Sequence, residues 1–173
     1  MFRELTRGTI QPTMDEAHGR QQTISLRQMV PADLVVLFEH QQDPDATRLA
    51  AFPARDWEAF STHWRTVLGD ASAIARTMLV DGDIAGYVTS WMDHDTRKVG
   101  YWLGKEFWGK GVATAALRQF TSQVTTRPLM AYVARHNLPS IRVLEKCGFV
   151  RVGAATPDPV DGVEEIVLEL EWG

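Results

Sequence analysis

The stretch Val99-Gly-Tyr-Trp-Leu-Gly-Lys-Glu-Phe-Trp-Gly-Lys-Gly-Val-Ala-Thr-Ala-Ala-Leu-Arg-Gln-Phe-Thr-Ser-Gln-Val124 decides the fold. Its apolar start, Val99 to Leu103, predicts a strand. After a glycine-bearing turn, Val112, Ala113, Ala116, Leu117, Phe120 and Val124 recur at helical spacing. A strand therefore leads through a loop into a helix. Gly109 and Gly111 carry no Cβ, so their backbone can approach a ligand closely, and the helix start offers amides that lack intrahelical acceptors. Such an end favours anions, phosphates above all. The turn is expected to hold the pyrophosphate of a nucleotide-like cofactor.

Working outward, Ala73 to Val80 and Asp83 to Met92 are β-rich runs joined at Asp81-Gly82, a hairpin signal that makes them antiparallel neighbours. Asp93 to Thr96 is a polar turn into the strand above. Downstream, Leu129 to Ala134 is almost unbroken apolar sequence, which predicts a central strand covered on both faces. With a helix between them, it runs parallel to Val99–Leu103. Asn137 opens a further helix with Pro139 in its first turn, Gly148 closes it, and Phe149 to Val152 forms a strand. In the last run Ile166, Leu168, Leu170 and Trp172 share one face against Glu165, Glu169 and Glu171, with Val167 breaking the alternation, which predicts a half-buried strand paired through a loop around Asp161-Gly162.

Before the hairpin, Thr23 to Gln28 alternates into a first strand, and Pro31 suits the start of a helix from Ala32 to His40 that Asp43-Pro44 stops. A second helix, Asp56 to Leu68, carries Trp57, Phe60, Ser61, Trp64 and Leu68 on one stripe, with Gly69 as its cap. Those tryptophans serve core packing, or else wall a substrate groove. Residues 1–21 are polar, carry no periodicity and are expected to be an extension; residues 22–173 form one mixed α/β domain, antiparallel early with one parallel pair in the middle.

Composition narrows the function. A chain of 173 residues with 45% apolar content can bury one sizeable core, and a net charge of -4 without charge runs argues against a nucleic-acid partner. The single cysteine, Cys147, excludes an internal disulfide and a cysteine-rich metal site and fits a reducing compartment. There is no apolar run of the ~20 residues a membrane span needs, and Met1 to Gln21 lacks a signal-peptide core. A cytoplasmic protein without membrane or metal is expected.

Gly104 to Lys110 has the spacing of a triphosphate-binding loop, yet Gly111 stands where Ser or Thr must ligate magnesium, and Phe107 and Trp108 are bulky for such a wrap. A dinucleotide fingerprint fails too, with Thr114 in place of the third glycine. A bare Gly-Lys-Gly would be no more than a turn.

A second signature follows at the right distance. Trp108-Gly-Lys-Gly-Val-Ala-Thr114, then Asn137-Leu-Pro-Ser140, then Leu144-Glu-Lys-Cys-Gly-Phe149 resemble the GNAT superfamily of acyl-CoA-dependent N-acetyltransferases, and the Tyr101-Trp102-Leu103 approach is similar to its ribosomal-protein N-terminal acetyltransferase branch. Trp108 departs from the Gln or Arg that usually opens the glycine motif, while Gly111 and Ala113 keep its last two defined positions.

The resemblance implies a GNAT-like mixed sheet with a splayed central parallel pair and helices on both faces. It implies an acyl-CoA cosubstrate, acetyl-CoA first, with the backbone amides of Trp108, Gly109, Lys110, Gly111, Val112, Ala113 and Thr114 on its pyrophosphate. Trp102 and Leu103 would meet the pantetheine and thioester, Asn137 would hydrogen-bond the pantetheine arm, and Ser140 would sit near the sulfur. Two strands that splay leave unpaired backbone groups, which an extended amide-bearing arm can satisfy like an added strand. Lys110, Arg142 and Lys146 face CoA phosphates or solvent.

The chemistry constrains the acceptor. A lysine amine of pKa ~10.4 is neutral about one part in a thousand at neutral pH, a handicap of roughly 4 kcal/mol, whereas an α-amine near ~7.7 to 8.0 is neutral to about a tenth or more. Relatives often carry Glu where this chain has Lys98, and a cation cannot serve as base. Asp93, His94 and Asp95, or water on backbone carbonyls, are the substitutes, unless those three are merely a solvated turn. An acceptor of modest pKa, such as a peptide N-terminus, follows. Ser140 is a proton donor to the leaving thiolate or part of a helix cap; Asn137 is cap, ligand or both; Cys147 reads as a buried small hydrophobe rather than a covalent relay. A fold relative that binds acyl-CoA without turnover, as a sensor or partner subunit, is the alternative.

Overall fold

In the computed structural model, residues 22–154 and 162–172 are described. The polar extension over residues 1–21 and Asp161 of the expected Asp161-Gly162 turn lie outside them. The chain lays down β1 (Ile24–Gln28), a 3₁₀ turn (Pro31–Asp33), α1 (Leu34–Gln41), α2 (Pro44–Ala50), α3 (Trp57–Gly69), β2 (Ile74–Val80), β3 (Asp83–Asp93) and β4 (Thr96–Leu103). A 3₁₀ turn (Lys105–Phe107) then precedes α4 (Val112–Gln123), β5 (Leu129–Ala134), α5 (Leu138–Lys146), β6 (Val150–Ala154) and β7 (Glu165–Leu170). Among the described residues the strands form one seven-stranded sheet in the order β1-β2-β3-β4-β5-β7-β6. Among the described residues every strand pairing is antiparallel except β4 with β5. No helix among the described residues is long and apolar enough to cross a membrane.

The parallel pair is short. Only Arg97 with Leu129 and Lys98 with Met130 are in register, after which β4 and β5 diverge. The neighbouring strands show why. The β2–β3 register shifts between Met78 and Leu79, leaving Ala85 as the extra residue, and such a bulge adds local twist. Beside it Gly86 lets the Trp102 carbonyl come so close that an added Cβ would lie 2.1 Å from that oxygen. Ala85 then accepts the Gly104 amide at 2.8 Å, turning the end of β4 toward β3 and away from β5.

Register also sorts the two faces. Tyr87 opposes Trp102, Thr89 opposes Gly100 and Trp91 opposes Lys98; Lys98 pairs Met130, Tyr132 opposes Val167 and Ala134 opposes Glu165. Paired residues share a face, so all of these pave one side of the sheet. On that side α1 and α3 pack Leu37, Phe60 and Trp64, each at most 1% exposed. The opposite side carries Val88, Val99, Leu129, Ala131 and Leu168 against α4 and α5, which contribute Ala116, Leu117, Phe120, Ile141 and Leu144.

Four local expectations change. Asp43-Pro44 does end α1 but immediately starts α2: the Asp43 carboxylate accepts from the amides of Asp45 and Ala46, with Pro44 at the first helical position. Gly69 is the last residue of α3 rather than its cap, which is Asp70. β5 is not covered on both faces, since Tyr132 is 37% exposed. Trp172 lies beyond β7, largely exposed, with the Arg127 guanidinium 5.4 Å from its ring centre.

Candidate active site

The loop from β4 to α4 begins with committed amides and ends with uncommitted ones. Phe107 donates to the Gly104 carbonyl and Trp108 to that of Lys105, while the first bond into α4 runs from Ala115 to Gly111. Between them the amides of Gly109, Lys110, Gly111, Val112, Ala113 and Thr114 find no acceptor among the described residues. The expected row of donors thus starts one residue later, because the 3₁₀ turn consumes the Trp108 amide. Gly109 and Gly111 sit at φ of +71° and +77°, where a side chain is costly, although an added Cβ at either would meet nothing within 4 Å. Their conformation, rather than crowding, requires glycine. Six N–H groups without an acceptor at the positive end of a twelve-residue helix could receive an anion.

Side chains of the loop shape the wall. Trp108 donates its indole N–H to the Leu103 carbonyl at 2.9 Å, and Trp102 donates its own to the His40 carbonyl at 3.2 Å. Val112 is buried, Ala113 nearly so, and the Lys110 ammonium stands 5.9 Å from the Phe107 ring centre. A cavity of about 340 Å³ follows, with Trp102, Leu103, Trp108, Gly109 and Ala113 on one side and Asn137 and Ser140 on the other. A narrower cleft of about 120 Å³ continues between the diverging β4 and β5, past Tyr101, Asn137, Ser140 and Glu165. Beyond the splay a third cavity of about 450 Å³ opens on the face paved by Tyr87, Trp91 and Tyr132.

Asn137 and Ser140 meet at this junction for a local reason. Asn137 caps α5, its Oδ1 accepting the Ser140 amide at 3.2 Å, and is only 7% exposed. Its side-chain nitrogen donates to nothing among the described residues, so cap and ligand roles are compatible. The Ser140 hydroxyl takes no part in the cap. Facing it from β4 is Tyr101, whose buried hydroxyl makes no well-formed hydrogen bond; burial pushes its pKa up to about 12, and the neighbouring Ser140 side chain works the other way. Cys147 is half-buried, its thiol 3.5 Å from the Thr114 carbonyl, and burial pushes the thiol up, against any thiolate relay.

The turn expected to supply a base is otherwise occupied. Hydrogen bonds from Lys98 and then His94 hold the Asp93 carboxylate below the usual range. The Lys98 ammonium also rests 4.3 Å above the Tyr132 ring centre. Asp93, His94 and Asp95 line none of the three cavities. Glu165 does: it opens β7 and borders both the cleft at the splay and the third cavity. The sequence placed it on a solvated face, but Val167 shares that face and is 8% exposed. That break in the alternation was the available signal.

The helix that was not expected closes the ensemble. Lys105 of the phosphate-side loop pairs with Asp45 and Asp43 at the start of α2, and the His136 ring meets the Arg48 carbonyl near its end at 3.0 Å. Ala46, Leu49 and Ala50 of α2 complete the wall of the first cavity.

A family description, Acetyltransferase (GNAT) domain, matches residues 23–150. The chain belongs to the GNAT acetyltransferase family. Within it, YdaF of Bacillus subtilis (strain 168), whose name provisionally assigns it ribosomal N-acetylation, is 32% identical over 105 residues, 57% of each chain. The chain thus aligns with little more than half the length of that curated relative. The GNAT fold is shared with two solved structures. One is aminoglycoside acetyltransferase AAC(6')-Ib in complex with coenzyme A, at TM-score 0.73 and 21% identity, covering 86% of this chain and 95% of that one. The other is RimL, a ribosomal L7/L12 alpha-N-protein acetyltransferase in complex with coenzyme A, at TM-score 0.72 and 16% identity, covering 86% and 94%.

Proposed function

We propose that this GNAT-family chain is an acyl-CoA-dependent N-acyltransferase that uses acetyl-CoA and transfers the acyl group to a primary amine by direct attack, the acceptor being an α-amine of modest pKa. One observation carries the reading: the row of six uncommitted amides at the start of α4 borders, at Gly109 and Ala113, a cavity beside which a narrower cleft runs between β4 and β5 to a carboxylate. The diphosphate of the cosubstrate lies on Gly109 to Thr114, with Lys110 at its edge. The pantetheine runs along the unpaired edge of β4 past Trp102 and Leu103, held by Asn137. Solved relatives that carry coenzyme A on this fold support the choice of cosubstrate. A cosubstrate of that kind and the lone thiol of Cys147 suit the cytoplasm.

Glu165 receives the amine proton, directly or through one water, as nitrogen attacks the thioester carbon. The N–C bond forms, the C–S bond breaks, and the departing thiolate takes a hydrogen bond and then a proton from Ser140, beside Tyr101; water reprotonates Ser140 as Glu165 releases its proton to solvent. Lys98, neutralised by Asp93, neither serves as base nor strongly repels an incoming ammonium. Calorimetric titration with acetyl-CoA, followed by thiol release with a free α-amino peptide and an N-blocked lysine peptide, tests the reading. Binding and faster turnover of the α-amine are expected. Preference for the lysine peptide would reject the acceptor assignment, and binding without thiol release from any amine would favour the sensing alternative.

A further inference from the structure

The third cavity carries a cationic side chain that acyl transfer leaves unused. Glu165 stands where this cavity meets the splay, and Arg55, from the segment between α2 and α3, also lines it. The Arg55 guanidinium is stacked 4.5 Å over the Phe52 ring, its carbonyl is held by Gln42 at 3.1 Å, and no carboxylate pairs with it among the described residues. A stacked guanidinium is oriented before any ligand arrives, which suits it to a carboxylate or phosphate. The other charged groups on this wall do not cancel it. Burial first, and Arg55 second, hold the His63 imidazole below its usual range, so it is neutral at pH 7. Asp70 is committed to its own turn, accepting the Ser72 amide at 2.8 Å, with Arg97 nearby.

The rest of the cavity wall is largely aromatic. Gly100 allows the Trp91 ring to lie against β4, where an added Cβ would touch it at 3.4 Å, and Tyr87, Trp102 and Tyr132 continue the surface. We infer that the acceptor carries, besides its reacting amine, one anionic oxygen group received by Arg55, with an aromatic or bulky apolar body between the two. This rests on the acyltransferase reading of the same site. A polycation fits badly, since each extra ammonium would need its own carboxylate and would meet Arg55 instead. The anion is either the carboxylate of a free amino acid or an acidic side chain following a peptide's first residue.

The experiment measures kcat/KM by thiol release for L-phenylalanine, its amide, phenethylamine, the amides of Phe-Asp and Phe-Ala, and spermidine. Once each rate is divided by the fraction of its amine that is neutral, acceptors with the carboxylate should exceed their neutral counterparts by about tenfold, the worth of one charge-assisted hydrogen bond. Whether L-phenylalanine or the Phe-Asp amide leads identifies the source. Arg55→Ala should bring that ratio close to 1 and Arg55→Lys should keep part of it, with acetyl-CoA titration confirming that each variant is folded. Equal corrected rates with and without the carboxylate, preference for spermidine, or a ratio that survives Arg55→Ala would overturn the inference while leaving acyl transfer intact. Acetyl-CoA binding with no thiol release from any amine would remove both.

Discussion

The Trp108 indole N–H donates to the Leu103 carbonyl across 2.9 Å, tying the phosphate-side loop to the last residue of β4. This bond spans the point where strand ends and anion site begins, so it sets the distance between the proposed thioester and diphosphate positions. It also gives a reason for tryptophan at the place where the usual motif has a longer polar residue. Trp108→Phe keeps the ring but leaves that carbonyl without its donor. Acetyl-CoA affinity should fall by about fivefold, within the ~1 to 1.5 kcal/mol of a single hydrogen bond. Calorimetry of both proteins reads this directly, and an unchanged dissociation constant would show that the tie does not order the loop.

Glu165 is the carboxylate that borders both the splay and the acceptor cavity. Glu165→Gln preserves shape and removes the proton acceptor. The kcat should drop by roughly 10²- to 10³-fold, the range of general-base catalysis, with acetyl-CoA binding preserved. Activity that rises again at high pH, where the amine deprotonates unaided, would separate a lost base from a damaged fold. Wild-type turnover in the variant at pH 7 would exclude the role.

Ser140 and Tyr101 bring two hydroxyls to the leaving-group side, and only the Ser140 amide is used by the α5 cap. Ser140→Ala should therefore leave the cap and the melting temperature nearly unchanged while lowering kcat by about tenfold or more. Tyr101→Phe removes a buried hydroxyl that makes no well-formed hydrogen bond, so it should cost little stability. If Tyr101 supports Ser140, the double variant should be no slower than Ser140→Ala alone, as a double-mutant cycle of rates can establish.

Asp33, in the turn after β1, carries a structural role instead. Its side chain is 3% exposed and accepts from both Arg27 nitrogens at 2.7 Å, from the Thr77 hydroxyl at 2.6 Å and from the Val30 amide at 3.0 Å. Burial alone would push its pKa up; the hydrogen bonds from Arg27, Thr77 and Val30 together outweigh it and leave the carboxyl below its usual range. A lowered folded value means that this stability is complete above the unfolded pKa of ~3.9 and is lost as pH falls through the folded one. Asp33→Asn should cost about 2 to 3 kcal/mol at pH 7, and the gap to wild type should narrow below pH ~4. Urea midpoints of both proteins at the two pH values check the size and the sign.

Much of the fold could be read in advance because its signals are local. The Asp81-Gly82 hairpin, the glycine loop before α4, the Asn137 cap and the alternation in β7 each depend on a few neighbouring residues whose backbone preferences are strong. Helix α2 was missed for an equally local reason. Asp43-Pro44 both stops one helix and starts another, and the seven residues that follow are too few to show a period.

From its sequence alone this chain determined the order of its strands and of its helices other than α2, the parallel pair and the glycine loop before α4, since the turn at Gly109 and Gly111 and the pattern after them leave few alternatives. Tertiary structure decided what those elements enclose. The bulge at Ala85 and the missing Cβ of Gly86 turn β4 from β5, and the register of four strands, β3, β4, β5 and β7, then brings Tyr87, Trp91, Tyr132 and Glu165 to one face. Those residues are far apart along the chain, and only hydrogen-bonded pairing between strands, which no local preference encodes, makes them neighbours.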